Sequence, residues 1–297
     1  MMTSRLVTLP ALIGLVAATF GVSRPAQAAM LECGTRAQDP SRIVVAGGSI
    51  TEILYDLQEQ QRIIGADRTS NYPAEARELP QVGYVRNLSA EGVLSLEPTL
   101  VMGEHDMGPP EVVEQLERLD IDLIRVPEEF SAAGISAKVR CVAAAVGADA
   151  AGEALVKRML AQVDDPSAAQ ASTAAKPRGI VLLGLRGGAP VAAGRETSGD
   201  GLLAMAGAAN VMDDFEGWKS ASIEAIAEAA PEFIVIPERG VRDAGGLDAL
   251  LDHPAIRLTP AAASERIVTM DGMAMLGFGP RTIEAAGELR QKIAESQ

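Results

Sequence analysis

Apolar residues recur along this chain with two different periods. The runs 42–46, 63–66, 99–103 and 122–126 are nearly unbroken and read as buried strands. Between them the spacing lengthens: Ile50, Ile53, Leu54 and Leu57 fall on one helical face, and 109–119 reads as a further helix. Gly47-Gly48-Ser49 turns the first strand into the first helix, with Ser49 as N-cap and Glu52 as its capping-box partner. Residues 29–41 read as an unstructured lead-in. Residues 132–146 form one helix punctuated by Gly147, and a second begins near Asp149 and carries Leu155, Val156, Met159 and Leu160. Pro166 should kink or stop it. A strand over 179–185 restarts the alternation, which passes another strand at 233–236 and ends in a helix over 282–294. Alternating strands and helices predict parallel βαβ units. The expected fold is therefore α/β, with a lobe over 29–148, a linking helix over 149–175 and a second lobe over 176–297.

An internal echo supports two similar lobes. Ser89-Ala90-Glu91 is followed by Pro98 and the apolar Leu100-Val101-Met102; Ser222-Ile223-Glu224 is followed by Pro231 and Phe233-Ile234-Val235-Ile236. Each serine is placed to cap a short helix, which puts Glu91 and Glu224 on equivalent first turns. Acids favour a helix N-terminus in any case, so capping alone accounts for their type. The repeat adds that two carboxylates stand symmetrically on one surface.

Composition narrows the classes. The 297 residues are 47% hydrophobic and 22% charged but only 3% aromatic, so the core is built from Ala, Leu, Ile and Val. Net charge is −14. No basic tract or interleaved aromatic run is present, which argues against nucleic acid as a partner. Residues 1–28 read as a signal peptide: Arg5, an apolar run to Val22, and a small-x-small site at Ala26-Gln27-Ala28. Its removal takes two arginines and no acid, leaving 26 − 2 = 24 basic against 40 acidic residues, a net −16. Met30-Leu31-Glu32 before Cys33 lacks the small residues of a lipoprotein signal, so free export to a periplasm is expected. Cys33 and Cys141 are either paired, as an exported chain with an even count allows, or two separate thiols.

The candidate chemistry centres on Tyr72, one of three tyrosines, in Tyr72-Pro73-Ala74-Glu75-Ala76. Pro73 suits a first helical position and biases Tyr72 towards extended geometry, which holds the phenol away from the element. This stretch, with Gly47-Gly48-Ser49-Ile50-Thr51-Glu52, Gly83-Tyr84-Val85-Arg86 and Gly277-Phe278-Gly279-Pro280-Arg281, resembles the periplasmic haem-binding proteins of bacterial ABC haem-uptake systems. The resemblance covers nearly all of the mature chain. It implies two α/β lobes with parallel sheets, bridged by a single long helix, with the ligand in the cleft between. It implies haem b as the transported ligand, Tyr72 as the axial ligand of its iron, and Glu91 and Glu224 docking on an ABC permease. A monomer is expected.

By the same resemblance an arginine of the opposite lobe lies near the tyrosine. Arg239, after the strand over 233–236, is the candidate, because loops at the C-terminal ends of parallel strands line such clefts; it also reads as a surface arginine paired with Glu238 or Asp243. Arg68, Arg86 and Arg186 are candidates for the haem propionates, each also readable as a solvated surface arginine. Some relatives carry a histidine at the Arg186 position, able to ligate a second stacked haem; arginine there argues against a two-haem site. His105, after the strand over 99–103, is expected to face the cleft as a second axial ligand or as a polar rim residue. Met273 and Met275 are candidate porphyrin wall, or simply core.

An enzyme is the rival class, but the chain has no G-x-x-x-x-G-K-[ST], no paired zinc histidines and no G-x-S-x-G. Cobalamin or siderophore capture by the same fold is the other alternative, and neither needs Tyr72 as a ligand.

Overall fold

The computed structural model describes residues 30–163 and 175–295. The proposed signal peptide and the stretch around Pro166 lie outside the described residues. In chain order, β1 (Met30–Leu31), β2 (Ile43–Ala46) and β3 (Ile63–Ala66) precede a small antiparallel hairpin of β4 (Gly83–Tyr84) and β5 (Asn87–Leu88). Then come β6 (Leu100–Glu104) and β7 (Asp122–Val126). All but the hairpin join one sheet in the order β1-β7-β6-β2-β3, every pair parallel. The expected lead-in is thus corrected at its start: Met30 and Leu31 pair with Leu123 and Ile124.

This sheet is apolar on both faces because both are covered. Val45, Met102 and Ile124 pack with Ile50, Ile53 and Leu54 of α1 (Gly48–Asp56). Val44, Val101 and Leu123 pack with Val93 of α2 (Ala90–Leu94) and Val113 and Leu116 of α3 (Pro110–Glu117).

Ser131 caps α4 (Ala132–Val146), accepting from the Gly134 N–H, and Gly147 ends it in a left-handed conformation at φ 73°. α5 (Asp149–Val163) follows directly. Cys141 on α4 is joined to Cys33 in a disulfide that spans 108 residues of sequence. The pairing left open by the sequence is therefore made. Replacing both cysteines by serine is expected to lower the unfolding free energy by about 3–5 kcal/mol, because the unfolded chain regains the entropy of a long loop. Denaturant midpoints of the two proteins measure it.

The second sheet is built from β8 (Arg178–Arg186), β9 (Ala189–Ala193), β10 (Ala209–Asn210), β11 (Trp218–Ser220), β12 (Phe233–Pro237) and β13 (Ile267–Met270). Its order is β11-β9-β8-β12-β13, with β10 also on β8. The expected all-parallel arrangement holds for β10, β8, β12 and β13 only; β8–β9 and β9–β11 are antiparallel. The cause is local. Gly187 and Gly188, at φ 57° and 83°, make a two-residue turn that folds β9 straight back on β8.

Around this sheet lie α6 (Ser198–Met205), α7 (Ile223–Ala229), α8 (Glu238–Asp243), α9 (Leu247–Leu251), α10 (Pro260–Ala263), α11 (Gly272–Leu276) and α12 (Pro280–Glu295). The lobes do not divide cleanly at the linker. Phe278 and Ile283 are buried in the core of the first lobe, Phe278 edge-on to Phe130 at 5.0 Å between ring centres. The segment between α11 and α12 is thus the seam that fixes one lobe on the other.

Candidate functional site

The C-terminal ends of β2, β3 and β6 open onto this seam, and the turns that follow them carry the candidate residues. At the first turn, α1 begins at Gly48 with Gly47 before it, at φ 147°. The expected capping box is therefore absent. Ser49 Oγ donates to Glu104 Oε1 at 2.8 Å, and Glu52 reaches across the seam to Arg281. The reason is steric. A Cβ on Gly48 would lie 2.4 Å from the Thr69 carbonyl and 2.6 Å from the Met273 methyl, so only glycine lets the next turn and the opposite lobe approach this closely.

That next turn, after β3, ends in Tyr72. Pro73 does not open a helix as expected; it stands one residue before a 3₁₀ turn, Ala74–Glu78, in extended backbone geometry. The Tyr72–Pro73 peptide is cis. The outcome for the phenol is the expected one: Tyr72 is 47% exposed in a chain whose large apolar side chains are mostly buried.

Beneath its ring lies an arginine of the other lobe, and it is Arg281 rather than Arg239. The Arg281 guanidinium carbon is 3.9 Å from the Tyr72 ring centre, within cation–π range. Arg281 belongs to the first turn of α12. It forks onto Glu52 Oε1 at 2.6 and 3.0 Å and donates to Asp271 Oδ1 at 3.1 Å. Burial alone pulls its proton affinity down, and the Glu52 and Asp271 carboxylates more than restore it. Burial also raises the Glu52 carboxyl, with Arg281 opposing that rise. The cation is thus held over the phenol ring by one acid from each lobe. No sequence reading assigned this role to Arg281, although it closes one of the quoted motifs.

A second group forms on the β4–β5 hairpin. The guanidinium carbons of Arg68 and Arg86 each lie 5.7 Å from the centre of the Tyr84 ring. Arg86 donates to the Tyr84 hydroxyl and pairs with Asp106 at 2.5 Å. That ion pair ties the hairpin to the turn after β6, where His105 stands exposed between Glu104 and Asp106. Arg68, Arg86 and His105 are therefore on neighbouring turns of the first lobe.

Arg186 and Arg239 belong to the second lobe. Arg186 is exposed at the end of β8, beside the glycine turn. Arg239 is not in a loop, because the chain becomes helical directly after β12. Its side chain is 84% exposed and lies 3.4 Å from Asp243, one helical turn on. α8 packs on β8, where a Cβ on Gly240 would meet the Leu183 carbonyl at 2.9 Å. Of the two methionines, Met275 is core and Met273 lies in the seam against Gly48.

Both capping serines act as read from sequence. Ser89 accepts from the Gly92 N–H at 3.0 Å and Ser222 from the Ala225 N–H at 3.1 Å, leaving Glu91 and Glu224 exposed on their first turns. The Glu224 carboxyl is held below the usual range by its own backbone N–H and by Ser222.

Residues 43–274 match the periplasmic binding protein family. Among solved structures, the periplasmic heme-binding protein BhuT, in complex with two hemes, superposes with a TM-score of 0.81 at 35% identity, over 86% of this chain and 98% of that one. The periplasmic heme-binding protein RhuT from Roseiflexus sp. RS-1, in apo form, also gives 0.81, at 34% identity over 86% and 98%. An uncharacterized ABC transporter substrate-binding lipoprotein of Bacillus subtilis is 25% identical over 86% of this chain and 81% of its own length. A vitamin B12-binding protein of Pectobacterium atrosepticum is 27% identical over 32% of this chain and 34% of its own.

Proposed function

This chain belongs to the periplasmic binding protein family, and on that premise we propose that it captures haem between its two lobes and delivers it to an ABC transporter permease. The observation that carries the proposal is the exposed Tyr72 phenol, backed by a guanidinium held by two carboxylates. Ferric iron is a hard Lewis acid, and a phenolate is a suitable hard axial ligand. Free phenol is mostly protonated at neutral pH. Iron favours the phenolate, and a fixed neighbouring cation favours it further. In this reading Tyr72 ligates the iron, and Arg68 and Arg86 take propionates from the first lobe. Arg186 and Arg239 have exposed side chains that reach them from the second, Arg239 by leaving its surface pair with Asp243. His105 stays on the rim. Glu91 and Glu224 face basic residues of the permease, one from each lobe. Residues 1–28 serve as a cleavable export signal, and haem is held by a monomer. Two structures of heme-binding proteins at 34–35% identity over 98% of their lengths favour haem over cobalamin, whose binding protein aligns over a third of the chain.

Titrating the purified protein with hemin tests the reading. A saturable Soret shift is expected, with charge-transfer bands of a tyrosinate-bound ferric haem, undiminished by excess cobalamin. Displacement by cobalamin, or unsaturable hemin uptake, would make the proposal wrong.

A further inference from the structure

Asp67 is fully buried, five residues before Tyr72, and its carboxylate bonds to Gly47, Thr69, Ser70 and Val85 rather than to the phenol or a guanidinium. Its two oxygens nonetheless meet three separate turns. Oδ1 accepts from the Gly47 N–H at 2.9 Å, from Thr69 Oγ1 at 2.8 Å and, longer, from Ser70 Oγ at 3.4 Å. Oδ2 accepts from the Thr69 N–H at 3.1 Å and the Val85 N–H at 2.9 Å. Gly47 starts the turn onto α1. Thr69 and Ser70 lie in the Tyr72 turn. Val85 stands between Tyr84 and Arg86 on the hairpin.

We propose that Asp67 is the positioning residue for haem capture: one buried carboxylate sets the relative places of the turns that carry Arg68, Tyr72, Tyr84 and Arg86. The inference rests on the haem reading above. Its physical basis is the acceptor-only character of an ionised carboxylate, whose lone-pair sites match four close donors. The bonds also branch. Thr69 Oγ1 accepts from the Gly48 N–H at 2.8 Å, and Ser70 Oγ meets Thr51 Oγ1 at 2.7 Å, so the Tyr72 turn is pinned to α1 at two further points. Gly48 is also where Met273 of the other lobe arrives. Backbone bonds already link the Tyr72 turn to the hairpin, with the Arg68 N–H donating to the Gly83 carbonyl at 3.0 Å; the carboxylate adds the bonds that fix both to the turn onto α1 at the lobe seam. Charge-assisted bonds of this kind are stronger and stiffer than neutral ones.

Asp67→Asn is nearly isosteric and removes this capacity. Whichever way the amide turns, its NH₂ faces at least one fixed backbone N–H: Gly47 on one side, Thr69 and Val85 on the other. In the hemin-free protein, amide exchange at Gly47, Thr69 and Val85 is expected to quicken while the far-ultraviolet spectrum stays folded. In the hemin-loaded protein, transfer to an excess of apo-globin is expected to be faster by about tenfold or more, as for loss of one charge-assisted bond. The tyrosinate charge-transfer bands should weaken in parallel. A folded Asp67→Asn protein with the parent bands and the parent transfer rate would overturn the proposal and leave Asp67 a stabilising residue only. If that variant does not fold, Thr69→Val decides instead, since it removes one Asp67 bond, together with the Gly48 bond that branches from it, and keeps the charge; an unchanged transfer rate overturns the proposal equally. Tyr72→Phe is run alongside. Parent bands in that protein would refute tyrosine ligation, while the exchange and transfer rates of Asp67→Asn would still report on the carboxylate.

Discussion

Replacing Tyr72 by alanine is expected to erase the tyrosinate charge-transfer bands of the hemin complex and to weaken hemin binding by about a hundredfold or more. In the proposed complex the phenol oxygen is the iron's donor, and Tyr72 is 47% exposed. An iron–oxygen bond lost without replacement costs several kcal/mol, and each 1.4 kcal/mol is about tenfold in affinity. Tyr72→Phe sharpens the test. The phenyl ring keeps its packing over the Arg281 guanidinium, so that contact stays and only the donor oxygen goes. If both variants lose the bands and the affinity together, the oxygen is the ligand. If phenylalanine behaves as the parent while alanine does not, the ring serves as a wall and iron is bound elsewhere. Visible spectra during hemin titration separate these results.

What could be read along the chain was what is decided locally. The strands Ile63–Ala66 and Asp122–Val126 and the helix Ala132–Val146 have the limits their apolar spacing and caps indicate, because alternation, Ser131 and Gly147 are properties of neighbouring residues. The exposure of Tyr72 is also local, since the proline after it shapes its backbone. What was missed depends on contacts made across the chain. Ser49 and Glu52 have the spacing of a capping box, yet the seam draws both away, to Glu104 and to Arg281, the latter 229 residues distant. Arg239 is the candidate because it follows a strand, and its pairing with Asp243 is the other reading its neighbours allow; Arg281 is found only through the fold, which brings it to Glu52 and Tyr72. The antiparallel β8–β9 pair was within reach of sequence: two glycines between apolar runs form a hairpin signal. The disulfide required the fold, which brings the Cys33 and Cys141 α-carbons to 4.8 Å.

Lys138→Met should lower the unfolding free energy by about 3–5 kcal/mol near neutral pH, with the loss growing as pH rises. Lys138 is almost wholly buried on α4, and its three N–H groups find three acceptors. These are Glu128 Oε2 at 2.7 Å, Ser49 Oγ at 3.2 Å and the Gly277 carbonyl, from the seam, at 3.4 Å. Ser49 in turn donates to Glu104, so one cation serves two carboxyls. Two charges of one sign beside one of the other favour keeping a proton. Burial pushes the Glu104 carboxyl up to about 7, against the pull of Lys138, and raises Glu128 in the same way. The sign follows from proton linkage. An acid whose folded value stands at about 7 against an unfolded 4.5 stabilises fully below 4.5, and that contribution is lost as pH rises through 7. Without Lys138 both carboxyls are raised further, so the variant approaches the parent in acid and falls away from it in base. Glu104→Gln should do the reverse. It removes a costly ionisation, so it should match the parent near pH 5 and exceed it near pH 8 by roughly 1–3 kcal/mol. Urea midpoints of the three proteins at both pH values decide the matter. A Lys138→Met deficit that is equal at the two, or larger in acid, would show that the buried carboxyls do not share this lysine's charge.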